Sequence, residues 1–210
     1  MDDTPRRYAT AIWDVSASRP TEALIVEGMS DSHVQQFEEK WKPELLKMSE
    51  DGNRLRASGV HATVVEDAHW SWSGKLQRYP SAKGYAIFVV EAGGAMQGIM
   101  MVAKGRQARD QQTEGLIYVE YLHVAPWNRP WIGRDPQFRA VGTSLFRFAV
   151  QFSEANGHGG RVGLHALPGA VKWYGEKLKM GRFGADSAYY GLEYFEYDTE
   201  QAYRFLRQVT

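Results

Sequence analysis

Cysteine is absent from the 210 residues of the chain. This excludes a disulfide framework, zinc sites built on thiolates and a cysteine nucleophile, and it fits a cytoplasmic location, where disulfides do not persist. A basic surplus is also absent, because 25 Lys and Arg balance 25 Asp and Glu. General affinity for nucleic acid or an anionic membrane normally requires such a surplus, so we expect neither as a partner.

Long apolar runs are missing as well. No stretch approaches the roughly 18 apolar residues of a membrane-spanning helix, and the polar start MDDTPRR lacks the apolar core of a signal peptide. We find no repeat, low-complexity tract or interdomain linker. The length fits one soluble domain over residues 1–210. Hydrophobic residues make up 43% of the chain, which suffices for a full core without disulfides or structural metal ions.

The apolar spacing predicts an α/β chain. Runs rich in β-branched and aromatic residues predict strands at Tyr8–Val15, Ala23–Val26, Tyr85–Val90, Gly98–Val102, Leu116–Val124, Arg161–His165 and Tyr189–Tyr197. Helical spacing predicts helices at Val34–Met48, with a break or kink at Pro43, and at Leu145–Phe152, Ala170–Met180 and Thr199–Arg207. Asp67–Tyr79 is expected to form a short helix or a lid-like segment. Loops are expected at Glu50–Ala57 and Trp127–Phe138. A hairpin at Gly93-Gly94 combined with crossover units predicts a mixed sheet flanked by helices.

One segment has the composition of a phosphate-binding loop. It lies between a predicted strand and a predicted amphipathic helix and consists of Arg139, Ala140, Val141, Gly142, Thr143 and Ser144. A helix N-terminus presents unpaired N–H groups and partial positive charge, where a pyrophosphate can bind. Gly142 would allow close approach, Thr143 or Ser144 could add a hydroxyl, and Arg139 a charge. An ordinary helix cap would explain the same Gly, Thr and Ser.

The surrounding segments resemble those of the GNAT superfamily of N-acetyltransferases. Arg139-x-x-Gly142-x-Ser144 is similar to the family's pyrophosphate loop, Arg/Gln-x-x-Gly-x-Gly/Ala. Glu120–Pro126 resembles its fourth strand, and Val171–Gly181 resembles its Leu-Tyr-Glu-Lys-Leu-Gly-Phe helix. The order of the segments also matches, over roughly residues 80–197. The resemblance implies an α/β fold with a mixed, mostly antiparallel sheet flanked by helices, and acetyl-CoA as cosubstrate.

The chain also departs from the family pattern. The loop between Pro126 and Arg139 is longer than usual, Leu167–Gly169 replaces a frequent Asn, and Gly175 replaces a Glu. Residues 1–80 match poorly. Since family members differ there by substrate, we expect this part to shape the acceptor site.

The resemblance implies a role for Tyr174 as general acid near the cofactor sulfur, because a phenol is protonated at neutral pH. A buried core aromatic is the alternative, since Val171, Tyr174 and Leu178 share one helix face. Glu120, in an apolar strand, is the candidate base. A strand glutamate that faces solvent or pairs with an arginine is an equally weighted alternative, and a water chain without a dedicated base is a third possibility.

Further residues follow from the same resemblance. The backbone of Leu122, His123 and Val124 is expected to bind the pantetheine arm, and one of its N–H groups to stabilise the oxyanion. The His123 side chain is expected to be structural, while His158 and His165 are weaker base candidates than Glu120. Three more arginines could equally reach the phosphates or be surface charges: Arg129, Arg134 and Arg147. Four tryptophans could wall an acceptor pocket, although packing in the core or supporting loops is favoured for each: Trp70, Trp72, Trp127 and Trp131. The six histidines show no metal-binding spacing.

Three functions remain open from the sequence. The leading one is acetyl transfer to an amine of a small molecule or protein, including a toxin-like acetylation of aminoacyl-tRNA, which the neutral charge disfavours. A protein that binds acyl-CoA without chemistry is the second, and another nucleotide-binding α/β domain is the third. The Tyr-rich C-terminal strand could support a homodimer.

Overall fold

The computed structural model describes residues 4–80, 83–110 and 114–208. Within them nine strands form one sheet with the order β6-β1-β2-β3-β4-β5-β7-β9-β8. The strands are β1 (Arg7–Asp14), β2 (Arg19–Glu27), β3 (Tyr85–Ala92), β4 (Ala95–Gln107), β5 (Gly115–Val124), β6 (Phe138–Arg139), β7 (Val162–Ala166), β8 (Gly181–Asp186) and β9 (Leu192–Tyr197). β5 pairs with β7 in parallel, whereas β1 with β2, β2 with β3 and β7 with β9 are antiparallel.

The helices are α1 (Asp31–Gln36), α2 (Lys42–Ala57), α3 (Trp72–Arg78), α4 (Val141–Ala155) and α5 (Thr199–Arg207). A π-helical turn, Phe37–Trp41, joins α1 to α2, and a second one lies at Trp173–Lys177. Short 3-10 turns occur at Pro126–Asn128, Pro168–Ala170 and Ser187–Tyr189. The described residues divide into two compact units. The first contains residues up to 83, 87–99 and 123–144, and the second contains residues 84–86, 100–122 and 145 onwards.

The first unit corrects one sequence prediction. The predicted loop Glu50–Ala57 is wrong, because α2 continues to Ala57 and buries Leu45, Met48 and Gly52 along one face. Pro43 lies in the first turn of α2, directly after the π-helical turn, and has no N–H to donate to it. The break expected at this proline therefore takes the form of the π-helical turn just before it.

The β3–β4 hairpin turns at the predicted position. Gly93 and Gly94 have φ angles of 59° and 72°, the left-handed values that a two-residue type I′ turn requires. The predicted strands at Tyr85–Val90 and Gly98–Val102 are confirmed as parts of β3 and β4.

The second unit contains a core of aromatic rings beneath α4. Phe146 is fully buried, and its ring lies 5.6 to 6.2 Å from the rings of Trp173, Tyr174, Tyr197 and Phe205. The helix predicted at Ala170–Met180 consists instead of a 3-10 turn followed by the π-helical turn. The sequence prediction missed β8, and it placed α5 at its observed bounds.

Candidate functional site

The predicted phosphate loop lies in the first unit and leads from β6 into α4. Ala140 has a φ of 65°, a left-handed conformation that costs an L-residue about 1–2 kcal/mol. Its carbonyl accepts a hydrogen bond from the N–H of Ser144 at 2.8 Å. The N–H groups of residues 141–143 are thus in the first turn of the helix, which offers them no acceptor. The exposed Arg139 precedes them, so this helix end suits an anion.

The hydroxyl of Ser144 is used inside the protein. It shares a 2.6 Å hydrogen bond with the hydroxyl of Thr10 on β1, and Ser144 itself is buried. Of the two hydroxyls considered for a phosphate, only that of Thr143, which is partly exposed, is available in this arrangement. The contact fixes the start of α4 to β1.

In the second unit, β5 and β7 separate after a short parallel pairing. The register runs from Ile117↔Val162 to Val119↔Leu164, although β5 continues to Val124 and β7 to Ala166. Residues 116–119 of β5 are buried, whereas residues 120–122 are only partly buried. This stretch, which includes Glu120 and Leu122, therefore extends beyond the pairing with β7. Strand backbone in such a position can hydrogen-bond an extended ligand.

Tyr174 is buried in the aromatic core of the second unit. Its ring lies 6.1 Å from that of Phe146 and 6.0 Å from that of Phe195. Within the described part of the chain its hydroxyl makes no hydrogen bond to protein. Burial raises the pKa of Tyr174 above its ordinary value, so the phenol stays protonated and can donate.

Glu120 is paired with an arginine, as one of the two alternatives from the sequence anticipated. Its carboxylate forms a close ion pair with the guanidinium of Arg106, and only 11% of the Glu120 side chain is exposed. Arg106 also donates to the Tyr189 hydroxyl at 2.6 Å. A neighbouring cation favours the ionised carboxylate, which makes Glu120 a weaker proton acceptor than an isolated buried one. Arg106 was not singled out in the sequence.

A second polar cluster surrounds His165 on β7. Nδ1 of His165 lies 2.6 Å from the Tyr118 hydroxyl and Nε2 lies 3.1 Å from the Asp186 carboxylate. The Tyr189 ring stacks on the imidazole at 3.8 Å. Arg109 forms a close ion pair with Asp186, and its hydrogen bond lowers the pKa of Asp186 to about 2. Sequence analysis named His165 as a base candidate but missed Tyr118 and Asp186.

His123, by contrast, has a structural side chain in the first unit. It is fully buried, and its Nδ1 accepts the indole N–H of Trp72 at 3.0 Å. Its Nε2 lies 3.2 Å from Asp67, whose carboxylate receives two hydrogen bonds from Arg129 at 2.8 and 2.7 Å. Burial lowers the pKa of His123 to about 3. Only its backbone remains a candidate for ligand binding.

The remaining arginines and tryptophans have structural contacts. Arg134 pairs with Glu44 at 2.7 Å, and Arg147 donates to backbone carbonyls at the end of α5, including that of Leu206 at 2.8 Å. Trp127 donates to Gln97 and packs on Trp41. Rings from Phe37, Trp41, Trp70 and Trp72 surround His123 at 5.2 to 6.2 Å. The core role favoured for the tryptophans is thus observed for Trp72, whereas Trp70 and Trp127 are partly buried and pack on buried rings.

No family model matches the sequence, and no curated protein matches it. Solved structures do match. The GNAT domain of S. lividans PAT has a TM-score of 0.53 and 12% identity, covering 91% of this chain and 96% of that one. A putative GNAT-family acetyltransferase from Desulfovibrio desulfuricans has a TM-score of 0.52 and 12% identity, covering 84% and 99%.

These likenesses show a fold. The chain has the fold of the GNAT acetyltransferases, as the sequence motifs predicted. In the described ranges no helix is both long and apolar enough to cross a membrane. Over the same residues, His, Asp and Glu side chains form no group of three that could hold a metal ion.

Proposed function

We propose that this chain is an acetyl-CoA-dependent N-acetyltransferase that acts on an amine of a small molecule or protein by direct attack. The observation that carries the proposal is the separation of β5 from β7 after Val119↔Leu164. This leaves Leu122, and after it the backbone of His123 and Val124, to bind the pantetheine arm as an added strand would. The fold likeness supports the reaction class by analogy.

The phosphate loop supports the cofactor assignment independently. A cofactor pyrophosphate fits the first turn of α4, where the N–H groups of residues 141–143 and the side chain of Arg139 would contact it. The left-handed Ala140 supports this role, because backbone strain of this kind clusters at ligand-binding sites.

Acetyl-CoA would supply the activated acetyl group. Tyr174 would protonate the leaving thiolate, since its phenol is protonated and its hydroxyl makes no hydrogen bond to other described residues. A strand N–H from Leu122 to Val124 would stabilise the oxyanion. Glu120 is the base candidate from the sequence, and its ion pair with Arg106 weakens that role. Residues 1–80 would shape the acceptor site, and a cytoplasmic location fits the absence of cysteine.

The Arg106–Glu120 ion pair also favours a second candidate, a module that binds acyl-CoA without catalysis. If Arg106 keeps Glu120 from accepting a proton, the chain could bind the cofactor and regulate a partner. Binding of acetyl-CoA without transfer to any amine in an acceptor screen would establish this alternative.

The test is thermal unfolding with and without acetyl-CoA. A ligand that binds only the native state stabilises it by about 2.7 kcal/mol at 100 times Kd, so Tm should rise clearly. Arg139→Ala and Gly142→Trp should reduce the rise. Gly74→Trp is a matched control, because Gly74 is an exposed glycine in the first turn of α3. No rise at millimolar acetyl-CoA would rule out both candidates.

A further inference from the structure

The His165 cluster lies on one face of the sheet in the second unit. Tyr118 pairs with Gly163, and His165 pairs with Tyr194. Because side chains alternate along a strand, Tyr118, His165 and Tyr194 share a face. Tyr197 lies three residues after Tyr194 in β9, so its side chain points to the other face of the sheet. Phe146 of α4 packs on Tyr197. The cluster is therefore on the face opposite α4.

Nε2 of His165 faces two groups, the Asp186 carboxylate at 3.1 Å and a guanidinium N–H donor of Arg109 at 3.4 Å. The ionised carboxylate can only accept and is the nearer group, and Arg109 is already paired with Asp186, so we assign the proton of the ring to Nε2. Nδ1 must then accept the Tyr118 O–H at 2.6 Å. Burial lowers the pKa of His165, which favours the neutral ring. The result is a directed chain from Tyr118 through His165 to Asp186.

The oxygen of Tyr118 can accept one more hydrogen bond. Among the described residues its hydroxyl contacts only His165, and a phenol oxygen has acceptor capacity beyond the proton it donates. Tyr118 pairs with Gly163, and the next pair, Val119↔Leu164, is the last one between β5 and β7. It thus stands on the same face as Glu120, at the point where the strands separate.

We propose that Tyr118, His165 and Asp186 form a proton relay that deprotonates the acceptor amine. The inference rests on the proposed transferase function. The acceptor ammonium gives one proton to the Tyr118 oxygen, while the Tyr118 hydroxyl proton passes to Nδ1 of His165. The imidazolium is stabilised by Asp186 and later releases this proton to solvent. The freed amine forms a C–N bond to the acetyl carbon as the C–S bond breaks. Tyr174 protonates the thiolate, and the remaining excess proton of the acetylated nitrogen restores the Tyr174 hydroxyl.

Tyr118 is the catalytic residue of the relay, and His165 and Asp186 act through it. Such a relay explains how the acceptor amine can be deprotonated although Glu120 is paired with Arg106. Other titratable or charged groups that face the cluster come from five segments: Arg106 on β4, Arg109 just after β4, Glu120 on β5, Tyr189 after β8, and Tyr194 and Glu196 on β9.

A spectroscopic test needs no substrate. In the full chain near neutral pH, ¹⁵N NMR should show His165 as the neutral Nε2–H tautomer. Asp186→Asn should shift the ring toward a mixture of tautomers, because the carboxylate that selects Nε2–H is gone. A doubly protonated ring, or an Nδ1–H tautomer in the wild type, would overturn the relay whether or not the protein is a transferase.

A kinetic test uses two acceptors that differ in charge. Butylamine is protonated near neutral pH and needs a base, whereas hydroxylamine is largely uncharged and does not. His165→Gln should lower kcat for butylamine by about 100-fold, the lower end of general-base effects, and leave hydroxylamine near the wild-type rate. Tyr118→Phe should lower kcat for butylamine and spare hydroxylamine in the same way. In both variants the loss of kcat with butylamine should become smaller at high pH, where more of the amine is already uncharged. Tyr203→Phe, an exposed tyrosine on α5, is the control.

The outcomes separate the two proposals. Equal losses with both acceptors would make the cluster structural and overturn the relay. If His165→Gln and Tyr118→Phe keep the wild-type rate with butylamine and Glu120→Gln loses it, Glu120 is the base and the relay is overturned. If the wild type transfers acetyl to no amine, the proposed function fails, and the tautomer measurement still decides whether the relay geometry exists.

Discussion

Trp72 donates its indole N–H to Nδ1 of His123 at 3.0 Å, and this hydrogen bond fixes the protonation state of a fully buried histidine. Because Nδ1 accepts, the single proton of the neutral ring must lie on Nε2, toward Asp67. Protonation of Nδ1 would break the bond to Trp72 and bury a cation among four aromatic rings. The contact thus couples the start of α3 to the end of β5 only when His123 is neutral.

This arrangement predicts that stability falls with pH between 6.5 and about 3. The pKa of His123 is lowered from 6.5 to about 3 in the folded protein, so the unfolded chain binds more protons in this window. Stability is then fully present above pH 6.5 and decreases below it by about 1 kcal/mol per pH unit. Denaturant unfolding at several pH values measures this slope.

His165 contributes to the slope in the same direction, because burial also lowers its pKa. The contribution of His123 is therefore the difference in slope between the wild type and His123→Gln. His61→Gln, at an exposed position, should keep the wild-type slope. A wild-type stability that stays flat from pH 6.5 to 5 would contradict the prediction.

Tyr174→Phe should separate catalysis from binding. If Tyr174 protonates the leaving thiolate, loss of the hydroxyl should reduce turnover by about 100-fold and leave the Kd for CoA unchanged. Tm should not fall, because the ring contacts remain and the hydroxyl makes no hydrogen bond to the described residues. Calorimetry with CoA and steady-state kinetics measure the two effects. An unchanged rate would remove Tyr174 from the mechanism.

The fold was predictable where local signals and tertiary pairing agree. α5 appears at its predicted bounds, Thr199–Arg207, because Asp198 caps it and Ala202 and Phe205 bury its apolar face. β8 was missed because Gly181–Asp186 is short and exposed and includes Gly184 at a φ of 87°. Its strand structure comes from pairing with β9, which a local pattern does not contain.

The site was predictable only in part, for the same reason. The loop at Arg139–Ser144 and the strand around Glu120 carry their signals in consecutive residues. Arg106, however, reaches Glu120 from a neighbouring strand, and Asp186 reaches His165 from the strand that was missed. Neither partner has a motif of its own, so the sequence could identify His165 as a candidate but not what surrounds it.

Phe146→Ala should destabilise the second unit strongly. Phe146 is fully buried among four aromatic rings, and truncation of a buried phenylalanine typically costs about 3–5 kcal/mol. Phe183→Ala, on the edge strand β8 where the side chain is 42% exposed, should have little effect. Denaturant unfolding of both variants gives the comparison. Similar small losses in both would mean that the rings around Phe146 close over the cavity.

Gly163→Ala should disturb the face that carries the His165 cluster. A Cβ at Gly163 would lie 2.5 Å from the Tyr194 hydroxyl and 3.1 Å from a Leu116 methyl, and Tyr194 cannot easily move because its hydroxyl donates to the buried Glu196 at 2.6 Å. We expect a loss of about 1–3 kcal/mol from overpacking. Gly74→Ala, where the nearest atom would lie at 3.6 Å, should instead stabilise α3 slightly. In a double-mutant cycle, Tyr194→Phe removes the clashing oxygen and should reduce the cost of Gly163→Ala. An unchanged cost in that background would show that the Tyr194 hydroxyl is not what requires glycine at this position.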